Sequence, residues 1–143
     1  MAIYHCSVKV IGRNSGRSSV GAAAYRAGDK LKNERDGITH DYTRKTGIAH
    51  SEIMLPENAP AEYKDRQTLW NAVEKAEKRK DAQTAREIEV ALPVELNREE
   101  QIKLLRDFVK ENFINRGMCA DIAIHDKEDG NPHSHIMLTT RTV

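Results

Sequence analysis

The feature that most restricts what this chain can fold into lies near its C-terminal end, residues 125–141, HDKEDGNPHSHIMLTTR. It carries three of the six histidines, His125, His133 and His135. Side chains two residues apart on a strand point the same way. His133 and His135 therefore share a face, and Ile136 and Leu138 turn to the opposite, buried one. Just upstream, DIAIHD alternates as another strand, with Ile122 and Ile124 on one face and His125 on the other. Between the two, Lys127 to Pro132 is dense in turn formers (Glu128, Asp129, Gly130, Asn131, Pro132), as a hairpin connection requires. Closing that hairpin brings His125 beside the His133/His135 pair. Three imidazoles converging from adjacent strands form an open metal site with positions left for a substrate oxygen.

From the start of the chain, residues 2–11 alternate: Ala2, Tyr4, Cys6, Val8 and Val10 against His5, Ser7 and Lys9. This predicts a half-buried strand with the first set inward. Ser18 or Ser19 then offers an N-cap to an alanine-rich helix from Val20 to about Lys32. Its apolar face is Val20, Ala23, Ala24, Ala27 and Leu31, small enough to lie close on a sheet. THDY and IAHSEIML read as two short strands around the turn RKTG. A helix from about Ala61 to Lys80 buries Leu69, Trp70, Val73 and Ala76. REIEVALP is a strand closed by Pro93, with Ile88, Val90 and Leu92 on one face and Glu87, Glu89 and Ala91 on the other. Asn97 with Glu100 makes a capping-box signal for a helix reaching about Asn115, and Gly117 stops it. The predicted order is β-α-ββ-α-β-α-β-β: an α/β (α+β) fold with a mixed, mostly antiparallel sheet flanked by helices.

At 143 residues the chain is one domain with room for a proper core. It ends directly after a strand, which leads us to expect the N-terminal part of a longer protein. Neither a membrane-spanning apolar run nor a signal-peptide pattern is present, so a cytoplasmic protein without membrane insertion is the expectation. Cys6 and Cys119 sit in strand-like apolar stretches, as reduced core thiols would. The formal net charge is +1, which argues against a non-specific nucleic-acid coat. Residues 1–50 nonetheless hold nine Lys and Arg against four Asp and Glu, a local excess able to meet a phosphate backbone.

No cysteine lies near the histidines to close a structural zinc site, so an open site is the better reading. Such a metal makes a hydroxide nucleophile or acts as a Lewis acid on a phosphate. The alternative attacking group is a tyrosine: Tyr4, Tyr42, Tyr63 or Tyr25. Tyr25 stands out because small residues flank it in AAAYRAG, leaving space for a bulky substrate.

Taken together, SSVGAAAYRAG, REIEVALPVEL and HDKEDGNPHSH followed by Arg141 resemble the MobA/MobL family of plasmid mobilisation relaxases, which are HUH endonucleases. The resemblance runs along essentially the whole chain, with the tyrosine and histidine motifs in order. It implies that Tyr25 attacks the scissile phosphodiester at an origin of transfer, giving a 5′-phosphotyrosyl enzyme and a free 3′-hydroxyl. It implies that His125, His133 and His135 hold a divalent ion, Mn²⁺ or Mg²⁺; the imidazole set alone also suits Zn²⁺ or Ni²⁺. The implied partners are single-stranded or hairpin DNA at the origin of transfer, accessory relaxosome proteins and a coupling protein.

Beside these, Glu87 is placed to accept a hydrogen bond from a ligand imidazole, with Glu89 on the same face competing for the role. Arg141, by i+2 counting from His135, and Lys9 and His5 on the first strand are candidate neighbours of the site. Arg26, next to the tyrosine, is a further candidate phosphate contact, as are Lys9 and Arg141. Histidine-strand nucleotide hydrolases of the HIT type would want a third alternating His where this chain has Met137. A rolling-circle replication initiator shares the chemistry but places its tyrosine after the histidines. A non-catalytic DNA-binding module predicts binding without a covalent adduct.

Overall fold

The computed structural model describes residues 6–13, 16–128 and 130–141. The expectations for Ala2, Tyr4 and His5 lie outside these residues. Among these residues, seven strands and three α-helices follow one another as β1 (Cys6–Gly12), α1 (Ser19–Ala27), β2 (Lys30–Lys32), β3 (Thr39–Asp41), β4 (Ile48–Met54), α2 (Arg66–Ala76), β5 (Gln83–Ala91), α3 (Arg98–Asn112), β6 (Ala120–His125) and β7 (His133–Thr139). Five strands form one sheet in the order β1-β5-β7-β6-β4, every neighbouring pair antiparallel. The α/β class, with helices flanking the sheet, is as expected. The strand pairing among the described residues is antiparallel throughout rather than mixed.

The period-2 pattern divides the sheet into two faces. One carries Ile122, Ile124, Ile136 and Leu138, all buried against Leu105 and Val109 of α3. The other carries Ile11, Ala85, Met137, Cys119 and Ile53, covered by Val20, Ala23 and Ala24 of α1 and Leu69 and Trp70 of α2. The alanines of α1 let its backbone approach the strands. α3 starts on a full capping box: Asn97 accepts from the Glu100 backbone N–H, and the Glu100 carboxylate accepts from the Asn97 N–H. Such a cap contributes about 1 kcal/mol.

Four expectations need correction. α1 ends at Ala27 because Gly28 takes a left-handed conformation (φ 65°) as its C-cap. An added Cβ at Gly28 would also lie 2.4 Å from Ile48 Cδ1. Residues 30–32 are thereby released into β2, which pairs with β3, whereas β4 leaves for the main sheet. The helix expected over 61–80 is a 3₁₀ turn (Ala61–Lys64) followed by α2, because Asp65 starts a fresh helix by accepting from the Thr68 N–H. Cys6 is exposed rather than a core thiol. Val8 and Val10 are likewise 65% and 46% exposed, and only Ile11 of β1 is buried. β1 is an edge strand beyond the reach of α3, so its apolar set has nothing to pack on.

Two polar nodes lock the helices to the sheet. Glu74 of α2 is buried and accepts from the Ser19 N–H (2.8 Å) and hydroxyl (2.7 Å) and from the Arg13 guanidinium (2.9 Å), which pins the first turn of α1. Asp121 of β6 accepts from Arg66 Nε (2.7 Å) and from the Trp70 indole N–H (2.9 Å), which pins α2. Asp121→Ala leaves the buried Trp70 indole without its acceptor and Arg66 with only Asp29, at 3.4 Å, so the free energy of unfolding should fall by about 1–3 kcal/mol. Urea titration followed by the fluorescence of Trp70, the one tryptophan, reads it directly. A loss below about 1 kcal/mol would mean the node is not what holds α2 down.

Candidate active site

His125, His133 and His135 do lie on one face, as the alternation requires. His125 and His133 are direct cross-strand partners, and His135 sits one step along β7 opposite Ala123. The His125 and His135 ring centroids are 4.3 Å apart. β5 runs on the other side of β7, with Glu89 opposite His135 and Glu87 opposite Met137. One patch at the end of the sheet not covered by core packing thus holds three imidazoles and two carboxylates.

Hydrogen bonding fixes the state of two of the rings. Nε2 of His125 lies 2.7 Å from the Arg26 carbonyl oxygen. A carbonyl only accepts, so Nε2 carries the proton and Nδ1 keeps its lone pair. Burial pushes the His125 pKa down to about 4, and the neighbouring His135, Lys45 and Arg26 add to this against the opposing carbonyl bond. The ring is therefore neutral at pH 7. Nδ1 of His135 lies 3.2 Å from Glu87 Oε1. Glu87 is only 3% exposed. Burial alone would raise its pKa, but hydrogen bonds and charge from His135 and Arg26 hold it down at about 2. Its carboxylate is ionised and only accepts, so His135 presents Nε2 outward. This carboxylate–imidazole and carbonyl–imidazole pairing is the arrangement that orients histidines toward a metal.

Among the described residues, the ligand atoms that gather within 4.8 Å of one another, as a divalent cation requires, are those of Glu87, Glu89 and His135; His125 and His133 share the face but are not part of that group. Both Glu87 oxygens, however, are already engaged by Arg26, at 2.6 Å from Nε and 2.8 Å from a terminal nitrogen. Glu87 is therefore better occupied as the group behind His135, and Glu89, half-buried, lies 3.6 Å from the same His135 Nδ1.

Tyr25 stands at the last turn of α1 with 43% of its surface exposed. Its neighbours Ala22, Ala23 and Ala24 are buried under it and serve helix–sheet packing. The ring meets Tyr42 edge-on at 5.2 Å between centroids. The Lys45 ammonium sits 3.5 Å from the Tyr25 ring centroid and donates to the Tyr25 carbonyl at 3.0 Å. Burial, with Arg26 and Lys127 nearby, lowers the Lys45 pKa to about 8. The sequence offers Tyr42 only as one of four candidate tyrosines, and does not single out Lys45. The sole signal for Lys45 was its membership of the basic N-terminal third.

The other expected residues are placed as follows. Arg26 is not turned to solvent: its guanidinium is locked onto Glu87, and its role here is to join α1 to β5. Lys9 is exposed on β1 directly opposite Glu87, on the histidine face. Arg141 lies past the end of β7 and pairs with Glu77 of the α2 C-terminus, at the far end of the strand from His133. The i+2 count fails there because the strand stops at Thr139.

A family model described as the MobA/MobL family matches residues 17–143. The chain is 46% identical, over 99% of its length, to the conjugal transfer protein TraA of Rhizobium radiobacter, of which it covers 14%. It is 42% identical, over 97% of its length, to the mobilization protein MobL of Acidithiobacillus ferridurans, of which it covers 43%. A solved structure described as the molecular basis of vancomycin resistance transfer in Staphylococcus aureus superposes with a TM-score of 0.94 at 36% identity. That superposition covers 99% of this chain and 72% of the other. The chain thus spans less than half the length of these curated relatives. Among the described residues, no helix is long and apolar enough to cross a membrane.

The depressed pKa of His125 has a consequence for stability. The unfolded chain takes up a proton near pH 6.5 that the folded chain refuses until about pH 4. The contribution is whole above pH 6.5 and is lost as pH falls toward 4, a change on the order of 3 kcal/mol. Urea midpoints in EDTA at pH 7 and pH 4.5 should drop further for the wild type than for His125→Asn. Equal drops would show that this ring is not held neutral by the fold.

Proposed function

Because this chain belongs to the MobA/MobL family, we propose that it is the strand-nicking unit of a mobilisation relaxase, acting on single-stranded DNA at an origin of transfer. The observation that carries the reading is the continuity between nucleophile and imidazoles. Tyr25 is exposed, and the next residue, Arg26, gives its carbonyl to His125 and its guanidinium to the Glu87–His135 pair. A substrate phosphate at the histidine patch therefore lies beside a phenol whose helix is bolted to that patch.

In the proposed reaction, Tyr25 Oη attacks the phosphorus as the bond from phosphorus to the 3′ oxygen breaks. The phenolic proton is lost and the departing 3′ oxygen gains one. The products are a 5′-phosphotyrosyl enzyme and a 3′-hydroxyl end. The phosphate ester is retained, so the step is reversible and allows rejoining. A phenol is a weak nucleophile at neutral pH, and the negative phosphate repels it further. His125 through Nδ1 and His135 through Nε2, with His133 across the strand, would hold a divalent ion, Mn²⁺ or Mg²⁺. That ion supplies charge neutralisation of the phosphate oxygens. Glu87 fixes the His135 tautomer and orientation. Arg26 carries that constraint back to α1, and Lys45 steadies the Tyr25 ring from its other side. Lys9, on the same face, is placed to meet a flanking phosphate. DNA at the origin of transfer is the proposed partner, together with accessory relaxosome proteins and a coupling protein in a cytoplasmic complex.

The test incubates the protein with supercoiled DNA carrying the origin of transfer of the element that encodes it, in Mn²⁺, followed by a denaturing gel. Wild type should give a protein-linked DNA band that disappears with EDTA. Tyr25→Phe should abolish the band, and His135→Ala should reduce nicking at least about 100-fold. Nicking that survives Tyr25→Phe would point instead to a metal-bound hydroxide as nucleophile.

A further inference from the structure

Among the described residues, the exposed large apolar side chains are Val8, Val10, Leu104 and Phe108 on the α3 side of the sheet, Val94 in the connection between β5 and α3, and Tyr25, Ile38 and Tyr42, which meet at a single cleft on the other side. That cleft, about 500 Å³, lies between α1 and the β2–β3 hairpin and opens at Tyr25. Ile38 is 52% exposed and Tyr42 36%. The width is set by Gly21: a Cβ there would come within 2.9 Å of His40 Cε1, so its absence lets the hairpin seat directly on the helix. Of the two acids on the wall, Glu74 is taken up by Arg13 and Ser19, and Asp36, exposed, accepts from the Ile38 N–H at 2.9 Å through one oxygen. Arg17 and Arg35 are exposed on the rim. Glu87, Glu89 and His135 do not line the cleft. Tyr25 therefore stands between two different surfaces, one of imidazoles and carboxylates and a cleft in which Ile38 and Tyr42 stand among Asn33, His40 and several arginines.

A cavity of this size suits a small ring system with its sugar. Flat apolar walls beneath flanking cations are what an unpaired base and its phosphates require, because every base offers a stacking face whatever its sequence. We infer that the cleft between α1 and the β2–β3 hairpin holds one unpaired nucleobase of a single DNA strand, packed against Tyr42 and Ile38, adjacent to the phosphate presented to Tyr25. Arg17 and Arg35 hold the backbone on either side of it. The inference rests on the nicking reading for its substrate class, but its test needs neither a nick site nor catalysis.

Binding is measured by fluorescence anisotropy in EDTA with two labelled strands of about 12 nucleotides, a length within common single-strand site sizes. One is oligothymidylate; the other is a fully abasic strand of the same length. Stacking of a base is worth roughly 5- to 150-fold in affinity. Wild type should bind oligothymidylate at least about fivefold tighter than the abasic strand. Ile38→Asp, which leaves the Tyr25 ring untouched, should erase that ratio, and Tyr42→Ala should do the same. Phe108→Ala, on the opposite side, should preserve it. Both wall positions are at least a third exposed, and their urea midpoints confirm folding. A ratio near one in wild type, or a ratio that survives Ile38→Asp, overturns the pocket. An intact ratio with no covalent adduct would sink the nicking reading alone, and an adduct with no ratio would sink the pocket alone.

Discussion

The arrangement depends on one residue, Arg26, which is bonded at both ends. Its guanidinium makes a two-point contact with the buried Glu87 of β5, and its backbone carbonyl receives the ring N–H of His125 on β6. Glu87 in turn accepts from His135 on β7. Three strands and the helix carrying Tyr25 are thereby indexed to one another by four hydrogen bonds. A buried ion pair is a weak source of net stability, because desolvation offsets most of its attraction. Its value here is positional, since displacing α1 by even a fraction of a turn would leave a carboxylate and a guanidinium unpaired inside the protein. The geometry between phenol and imidazoles is thus defended by the cost of breaking the pair.

The same logic divides the cations into two kinds. Arg13, Arg26 and Arg66 are turned inward, each onto a buried acid, and hold helices in place. Arg17, Arg35 and Lys9 are exposed on the side of the molecule that holds Tyr25 and the histidines. A net charge of +1 conceals this. Glu74, Glu87 and Asp121 are spent on the inward arginines, so the outward cations beside Tyr25 are not drawn on by those acids. Near-neutral composition and a locally attractive field are compatible for that reason.

How much of this could be read in the sequence follows from the range of each signal. Alternation is local and robust, so β5, β6 and β7 and the facing of Ile122, Ile136, Glu87 and His135 were legible. The Asn97/Glu100 box and the Ser18 cap were legible because both partners lie within one turn. Sheet order was not. Nothing in residues 6–12 says that β1 lies at an edge, so its valines read as core although they are exposed. The count that placed Arg141 beside His135 assumed a strand that had already ended. The end of α1 at Gly28 was passed over because Leu31 continued the helical stripe; its burial is supplied by β2 instead. Arg26 could be proposed as a phosphate contact, but its actual partner lies 61 residues away. Glu87 was suspected from its face, and only the fold could show that it binds the arginine as well as the histidine.

The network is also self-contained. Every bond from Tyr25 to the imidazoles is made by residues between 25 and 135, and the same unit recurs within relatives of which it makes up 14% in one case and 43% in another. Placement of Tyr25 and the histidines therefore asks nothing of the additional chain those relatives carry. On the proposed nicking reading, access is what such chain can alter: which strand arrives, and in what register it is offered to Tyr25. The β2–β3 hairpin is the part of the present unit best placed to share that task. It is a two-stranded sheet separate from the main one, seated on α1 through the bare backbone of Gly21. Changes in its side chains alter the cleft wall without passing through the Arg26 node, so preference for what is bound can vary while the reacting groups stay fixed.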